Sequence, residues 1–313
     1  MHLLVPFAAG LSEAGAQALQ HLRLPRLERL LGSLEAGPAT GSDEYALNLP
    51  HEQVLAQAQG WAADDGRLPF AAALARADGL AADAADEAGW GLLTPSHWQA
   101  GRDQVVLRDP AELGLDEAES RALFDAVRPL FDGAGWTPFW GAPLRWYACH
   151  ASLAGLATAS LDRVIGRNLD LWLPERRAGA QVRRLQSEVQ MLLHTHAINA
   201  EREARGAWAV NSFWLSGTGR AVSSEATVAV QVDERLRGPM LAESWDDWAD
   251  AWHALDAGPI AELQARAERG ESVSLTLAGE RLARRYDRVS RAPWRRLARR
   301  WRRVEAAAVL ESL

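Results

Sequence analysis

Apolar residues recur every three to four positions through much of this chain, and shorter continuous or alternating apolar runs interrupt them. The helical period predicts helices over 12–20, 25–34, 50–61, 116–131, 160–172, 181–196, 244–253, 259–269 and 293–309. Leu3-Leu4-Val5 marks a strand over 2–6. Strands are also predicted over 91–95, 104–108, 136–140, 144–148, 210–215, 227–232 and 273–278. A Gly-Ala-Pro turn makes 136–148 a hairpin, and 91–95 is expected to join 104–108 across the loop 96–103. In 116–131, Asp116 stands where an N-cap belongs, and Ala118, Leu123, Val127 and Leu130 fall on the inward face. The glycines of 37–41 break the pattern, and 78–89 reads as an exposed helix or loop. Strands and helices alternate, with hairpins among them. The expected fold class is α/β, a mixed β-sheet flanked by helices.

Composition narrows the chemistry. The chain of 313 residues has no lysine, so all 34 basic residues are arginine, and P-loop, Schiff-base and lysine general-base mechanisms are excluded. Cys149 is the only cysteine, which excludes an internal disulfide and a thiolate zinc cluster. The apolar start is too short to span a membrane, no Lys or Arg precedes it, and Glu13 soon follows. A cytoplasmic protein without a signal peptide is expected. The net charge of −7 is unevenly spread: 281–303 holds eleven arginines against Asp287, or +10, leaving −17 elsewhere. The expected organisation is an α/β domain over 1–280 and an Arg/Trp-rich C-terminal helical segment, 281–313, packed on it. Trp294, Leu297, Trp301 and Val304 would form its seam, with Trp245, Trp248 and Trp252 as a matching surface. The same arginines also suit nucleic acid or a membrane surface.

Arg183, Gln186, Gln190 and His194 fall on one stripe of a predicted helix. They can hydrogen-bond a phosphorylated or carboxylated ligand, or simply form the polar face of an amphipathic helix. His194 and His196 point about 200° apart on a helix and cannot share a metal ion. Ser216-Gly217-Thr218-Gly219-Arg220 is a glycine-rich turn whose amides can hold an anion beside Arg220. His97, in the loop after a strand, is placed for ligand contact or for satisfying turn amides. Ser160 reads as a helix cap, with Arg163 and Arg167 following on one face.

Several stretches carry a resemblance: Leu93-Thr94-Pro95-Ser96-His97-Trp98-Gln99, Ala159-Ser160-Leu161-Asp162-Arg163-Val164-Ile165-Gly166-Arg167-Asn168, Leu185-Gln186-Ser187-Glu188-Val189-Gln190-Met191-Leu192-Leu193 and Val210-Asn211-Ser212-Phe213-Trp214. Across most of its length the chain is similar to a bacterial family described as regulatory proteins of the rpf cluster, type E, often labelled phosphoglycerate mutase. His194-Thr195-His196-Ala197-Ile198-Asn199 and the residues to Gly219 resemble a substrate-domain segment of archaeal-type, cofactor-independent phosphoglycerate mutases. The resemblance implies an alkaline-phosphatase-like, phosphoglycerate mutase-like fold. It also implies two clustered metal ions with a Ser or Thr nucleophile, an Asp-Gly motif after the first strand and late Asp/His ligands. The chain instead has Pro6-Phe7-Ala8-Ala9-Gly10 after the first strand. Its late region offers Asp246, Asp247, Asp250 and His253 on one helix, without an Asp-His pair.

The expectation is therefore a mutase-like protein that lacks the catalytic metal ligands, uses no cofactor and leans away from being an enzyme. It would bind a small anionic metabolite or a protein partner in a regulatory role. The nominated ligand-binding residues are His97, Arg183, Gln190, His194, Asn199, Arg202, Asn211 and Arg220. Two alternatives stand: an active metal-dependent, 2,3-bisphosphoglycerate-independent phosphoglycerate mutase, and a nucleic-acid binder using the Arg-rich C-terminus.

Overall fold

The apolar run Leu3-Leu4-Val5, with His2 before it, forms β1 (His2–Val5), whose four residues are all buried inside a sheet. The computed structural model describes residues 1–41, 43–61, 64–80, 88–222, 229–288 and 304–313. After β1 come α1 (Glu13–His21), α2 (Pro25–Ser33), β2 (Glu35–Gly41), α3 (Pro50–Ala58), α4 (Phe70–Ala77), β3 (Gly89–Ser96), β4 (Trp98–Ala100), β5 (Val105–Leu107) and α5 (Glu117–Gly133). Then follow β6 (Thr137–Ala142), β7 (Arg145–His150), α6 (Leu161–Val164), α7 (Ala180–His194), α8 (Ala197–Ala204) and β8 (Ser212–Arg220). The chain continues through β9 (Val230–Val232), α9 (Arg237–Leu241), α10 (Trp245–Leu255), α11 (Ala261–Glu268), β10 (Ser274–Ala278), β11 (Leu282–Asp287) and α12 (Ala306–Glu311). Two units result: 1–60 with 225–313, and 61–224. No described helix is long and apolar enough to cross a membrane.

The first unit holds a five-stranded sheet in the order β2-β11-β10-β1-β9. β9 and β10 run parallel to β1, β11 pairs antiparallel with β10, and β2 pairs antiparallel with β11 and so runs the same way as β1. β2 was not expected: its small residues carry no strand pattern, and pairing with β11 imposes the extended form. β11 corrects the expected helical tail, because Leu282–Asp287 pairs with β10 on one side and β2 on the other. The expected helix over 293–309 falls mostly on 289–303, outside the described residues, and α12 covers its end. Helix α2 begins at Pro25 with no side-chain cap of its own. Asp256, buried, supplies one, accepting from Leu27 N at 2.8 Å and Arg26 N at 3.3 Å. A carboxylate there also complements the helix dipole. Trp248 and Trp252 of the predicted Trp stripe are fully buried in this unit's core with Leu27, Leu30 and Leu31.

The second unit holds an antiparallel sheet in the order β6-β7-β3-β8, and β4 pairs separately with β5. The expected pairing of 91–95 with 104–108 is thus corrected: β3 is a central strand between β7 and β8. The predicted hairpin over 136–148 is β6–β7. Asp116 caps α5 by accepting from Glu119 N at 2.8 Å, and Leu123 and Val127 are buried as predicted, whereas Ala118 is exposed. The predicted helix over 160–172 stops after one turn. Gly166 has φ +75°, and its N–H goes to Leu107 O at 2.9 Å, so the chain leaves the helix to join β5. Ser160 makes no side-chain cap.

Candidate functional site

Four of the nominated residues converge on one short stretch, 208–211, which leads into β8. Arg202 Nε donates to Trp208 O at 2.9 Å, and His97 Nδ1 lies 2.8 Å from Ala209 O. That carbonyl can only accept, so His97 carries its proton on Nδ1. Asn199 donates to Val210 O at 2.7 Å and accepts from Val210 N at 2.9 Å. Asn211 accepts from Trp98 N at 2.7 Å and donates to Trp98 O at 2.9 Å, copying a strand ladder with its side chain. Side chains thus take up each successive carbonyl from Trp208 to Val210. A loop that cannot join a sheet needs such partners.

Arg202 goes further. It is fully buried, pairs with Glu119 at 2.5 Å through Nη1 and donates through Nη2 to Leu113 O. Glu119 also receives Arg205. The guanidinium holds α8 against α5 and has no edge left for a ligand. Trp208 is covered by the Arg108 guanidinium, 4.2 Å from its ring centre, and by the His97 ring at 5.0 Å.

The other nominated residues are dispersed. Arg183 is turned back onto Pro174 O at 2.7 Å and onto Arg176 O. Gln190 is half-buried on α7, while His194 and Arg220 are exposed at the ends of α7 and β8. Among the described residues, no side-chain hydrogen bond or ion pair joins any two nominated residues.

A concave surface of this unit lies elsewhere, between α5 and β6. It is a trench of about 360 Å³ lined by Arg121, Phe124, Asp125 and Arg128 of α5, facing Thr137–Trp140 of β6, with Leu80 beside them. Its wall is fixed by Ser120. That buried hydroxyl accepts from Trp140 Nε1 at 3.0 Å and Trp146 Nε1 at 2.9 Å, and donates to Pro143 O at 2.8 Å. Arg121 lies flat on Trp140, 3.6 Å from its ring centre. Nearby, Asp78 receives both Arg145, at 3.0 and 3.1 Å, and the Tyr147 hydroxyl at 2.7 Å. Arg145 holds the Asp78 carboxyl below its ordinary range, and burial, then the Asp78 carboxylate, pushes the Tyr147 phenol up. Sequence reasoning passed over this trench. The Glu117–Arg121 and Arg128–Asp132 spacings are visible on a helix, but Trp140 reaches them only through the fold.

The two-metal centre implied by the resemblance can be tested at the carboxyl ends of β1, β9 and β10, where parallel strands of an α/β sheet place ligands. Beyond β1 stand Phe7, Ala8 and Ala9, all buried. Phe7 has φ +57°, a strained conformation for a bulky residue. It is held by Trp248 Nε1, which donates to Phe7 O at 3.0 Å, and by the His51 ring at 5.2 Å. Beyond β9, Asp233 is paired with Arg235 at 2.8 Å, and beyond β10, Glu280 accepts from Leu11 N at 2.6 Å. Among the described residues, no three of His, Cys, Asp and Glu converge. Apolar side chains stand where ligands are needed, and the residues present do not fit a two-metal centre.

Two solved structures are similar to this chain. A cofactor-independent phosphoglycerate mutase from Thermoplasma acidophilum is 16% identical, with 91% of this chain and 89% of that one covered, at a TM-score of 0.37. The PH0037 protein from Pyrococcus horikoshii is 14% identical over 92% of this chain and 87% of its own, at a TM-score of 0.41. No protein-family model matches the chain, and no curated protein matches it by sequence. Scores of this size carry no argument about chemistry, so the mixed α/β class rests on the sheet order itself and the site on its own residues.

Proposed function

We propose that this chain is a phosphoglycerate mutase-like protein that acts by binding, taking up a small anionic metabolite or a protein partner in a regulatory role. One observation carries the reading. The end of β1 leads into a packed apolar plug, Phe7–Ala8–Ala9, sealed by Trp248 and His51, and not into carboxylates. Phosphoryl transfer of the alkaline-phosphatase kind needs clustered acids and histidines at that place. Of the nominated residues, His194 and Arg220 keep exposed side chains.

The test is the thermal unfolding of the full chain with 3-phosphoglycerate, with and without manganese. Ligand at about a hundred times its Kd adds roughly 2.7 kcal/mol, which reads as a shift of several degrees. The expected result is a shift that does not need the metal. A shift that appears only with manganese would overturn the proposal and support the mutase. No shift under either condition would remove phosphoglycerate as the ligand.

A further inference from the structure

The trench between α5 and β6 has a chemistry of its own. Arg121, Phe124, Asp125 and Arg128 stand three, four and seven residues apart and so share one stripe of α5. Both guanidiniums are tied by Nε alone: Arg121 to Glu117 at 2.9 Å, and Arg128 to Asp132 at 3.6 Å. Among the described residues no hydrogen bond engages their Nη groups. The forked edge that binds a carboxylate in two places is therefore left open on each. The Trp140 face holds Arg121 in position, and Ser120 holds Trp140.

Spacing and shape select the occupant. Two turns of α5 separate Arg121 from Arg128, about 10 Å along the axis, too far for one carboxylate or phosphate to bridge. The apolar part of the lining comes from Phe124, which stands between the two arginines on α5, with Phe139 and Leu80. β6 is the outer strand of its sheet, but Pro138 takes a donor away from the outward edge, which disfavours an added β-strand. A polyproline II segment needs no such donors. Its three residues per turn and ~3.1 Å rise put side chains i and i+3 on one edge about 9 Å apart.

We infer that this trench docks an acidic peptide in the polyproline II form, with carboxylates three residues apart on Arg121 and Arg128 and an apolar side chain between them on Phe124 and Phe139. Asp125 lies between the two arginines and opposes the acidic segment. The inference stands apart from the phosphoglycerate reading, since it uses none of the residues nominated for that ligand.

The probe is a fluorescein-labelled peptide, Glu-Leu-Pro-Glu-Leu-Pro-Glu, titrated with the full chain and followed by anisotropy. Arg121→Gln and Arg128→Gln should each weaken saturable binding by about tenfold, as expected for a lost charged hydrogen bond. Asp125→Asn should strengthen it, and a peptide with Gln for Glu should not bind. Both arginine side chains are more than half exposed, so unchanged circular dichroism and melting are the expected folding controls. The inference is overturned by the absence of saturable binding. It is also overturned by equal binding to the Arg121→Gln/Arg128→Gln double variant, which would move the contact to other arginines such as those of 281–303. Displacement by inorganic phosphate alone would reduce the trench to a simple anion site and overturn it too.

Discussion

Replacing Ser120 with alanine removes one oxygen and disturbs three partners. The hydroxyl accepts from the indoles of Trp140 and Trp146 and donates to Pro143 O, all at 2.8–3.0 Å. Trp146 is 1% exposed, so its N–H has no route to water once the oxygen is gone. A buried donor left without an acceptor costs about 1–3 kcal/mol. Trp140 is only half-buried and can recover part of its loss from solvent. The expected destabilisation is therefore about 2–4 kcal/mol, large for a change of a single atom. Urea unfolding followed by circular dichroism and tryptophan fluorescence measures it. With two units present, the midpoint that moves should be the one belonging to 61–224. A second background sharpens the test, because in Trp146→Phe the donor is absent and the same Ser120→Ala change should cost about 1–2 kcal/mol less. An equal cost in both backgrounds, or a loss below about 0.5 kcal/mol, would refute the hub.

Three further outcomes are expected. Arg202→Ala takes one of the two arginines from Glu119 and leaves the Leu113 and Trp208 carbonyls without their donor, and should cost about 3 kcal/mol in denaturant unfolding, where a ligand-contacting arginine would leave stability unchanged. Gly89→Ala puts a Cβ 2.0 Å from Ala154 N, a clash with backbone that cannot move aside, and should lower stability by about 3 kcal/mol or prevent folding, read by melting and expression yield. His2, buried in β1 with Nε2 on Thr276 Oγ1 at 2.8 Å, has its pKa lowered to about 4, by burial first and then by Arg285. The unfolded chain takes up this proton near pH 6.5 and the folded one only near 4. The stabilisation is thus full above 6.5 and lost as pH falls toward 4, by about 1.4 kcal/mol per unit. His2→Gln should flatten the stability profile in that window, and an unchanged slope would count against the assignment.

The parts of the fold that were legible in the sequence are those with strong local signals. β1 is a continuous apolar run, α5 has its Asp116 cap and apolar face, and the β6–β7 hairpin has a proline, Pro143, at its turn. β2 was not legible, because Glu35–Gly41 is a strand only by virtue of its neighbour β11. The helix read over 160–172 failed because Gly166 prefers the left-handed region and its amide finds a better partner in Leu107. The candidate site is hard to read from the sequence for a different reason. Asn199, Arg202 and Asn211 look like ligand-binding residues, since the groups that bind a ligand are the same ones that bind a loop's carbonyls. Spacing cannot tell which of the two a side chain will meet. Ser120 shows the converse, a serine in the first turn of α5 with no local signal whose partners lie 20 and 26 residues away.

The insertion of 61–224 between the two sequence segments of the other unit has a consequence for synthesis. Every strand pairing of β3 through β8 closes within that stretch, so it can fold as soon as it leaves the ribosome. β1 is made first but pairs only with β9 and β10, where His2 meets Val230 and Ser274. At the usual ~5–20 residues per second, the apolar strand Leu3-Leu4-Val5 waits on the order of 10–45 s for β9 and roughly 15–55 s for β10. During that interval it is an unpaired, fully apolar edge, open to chaperones and to the β1 strands of other nascent chains.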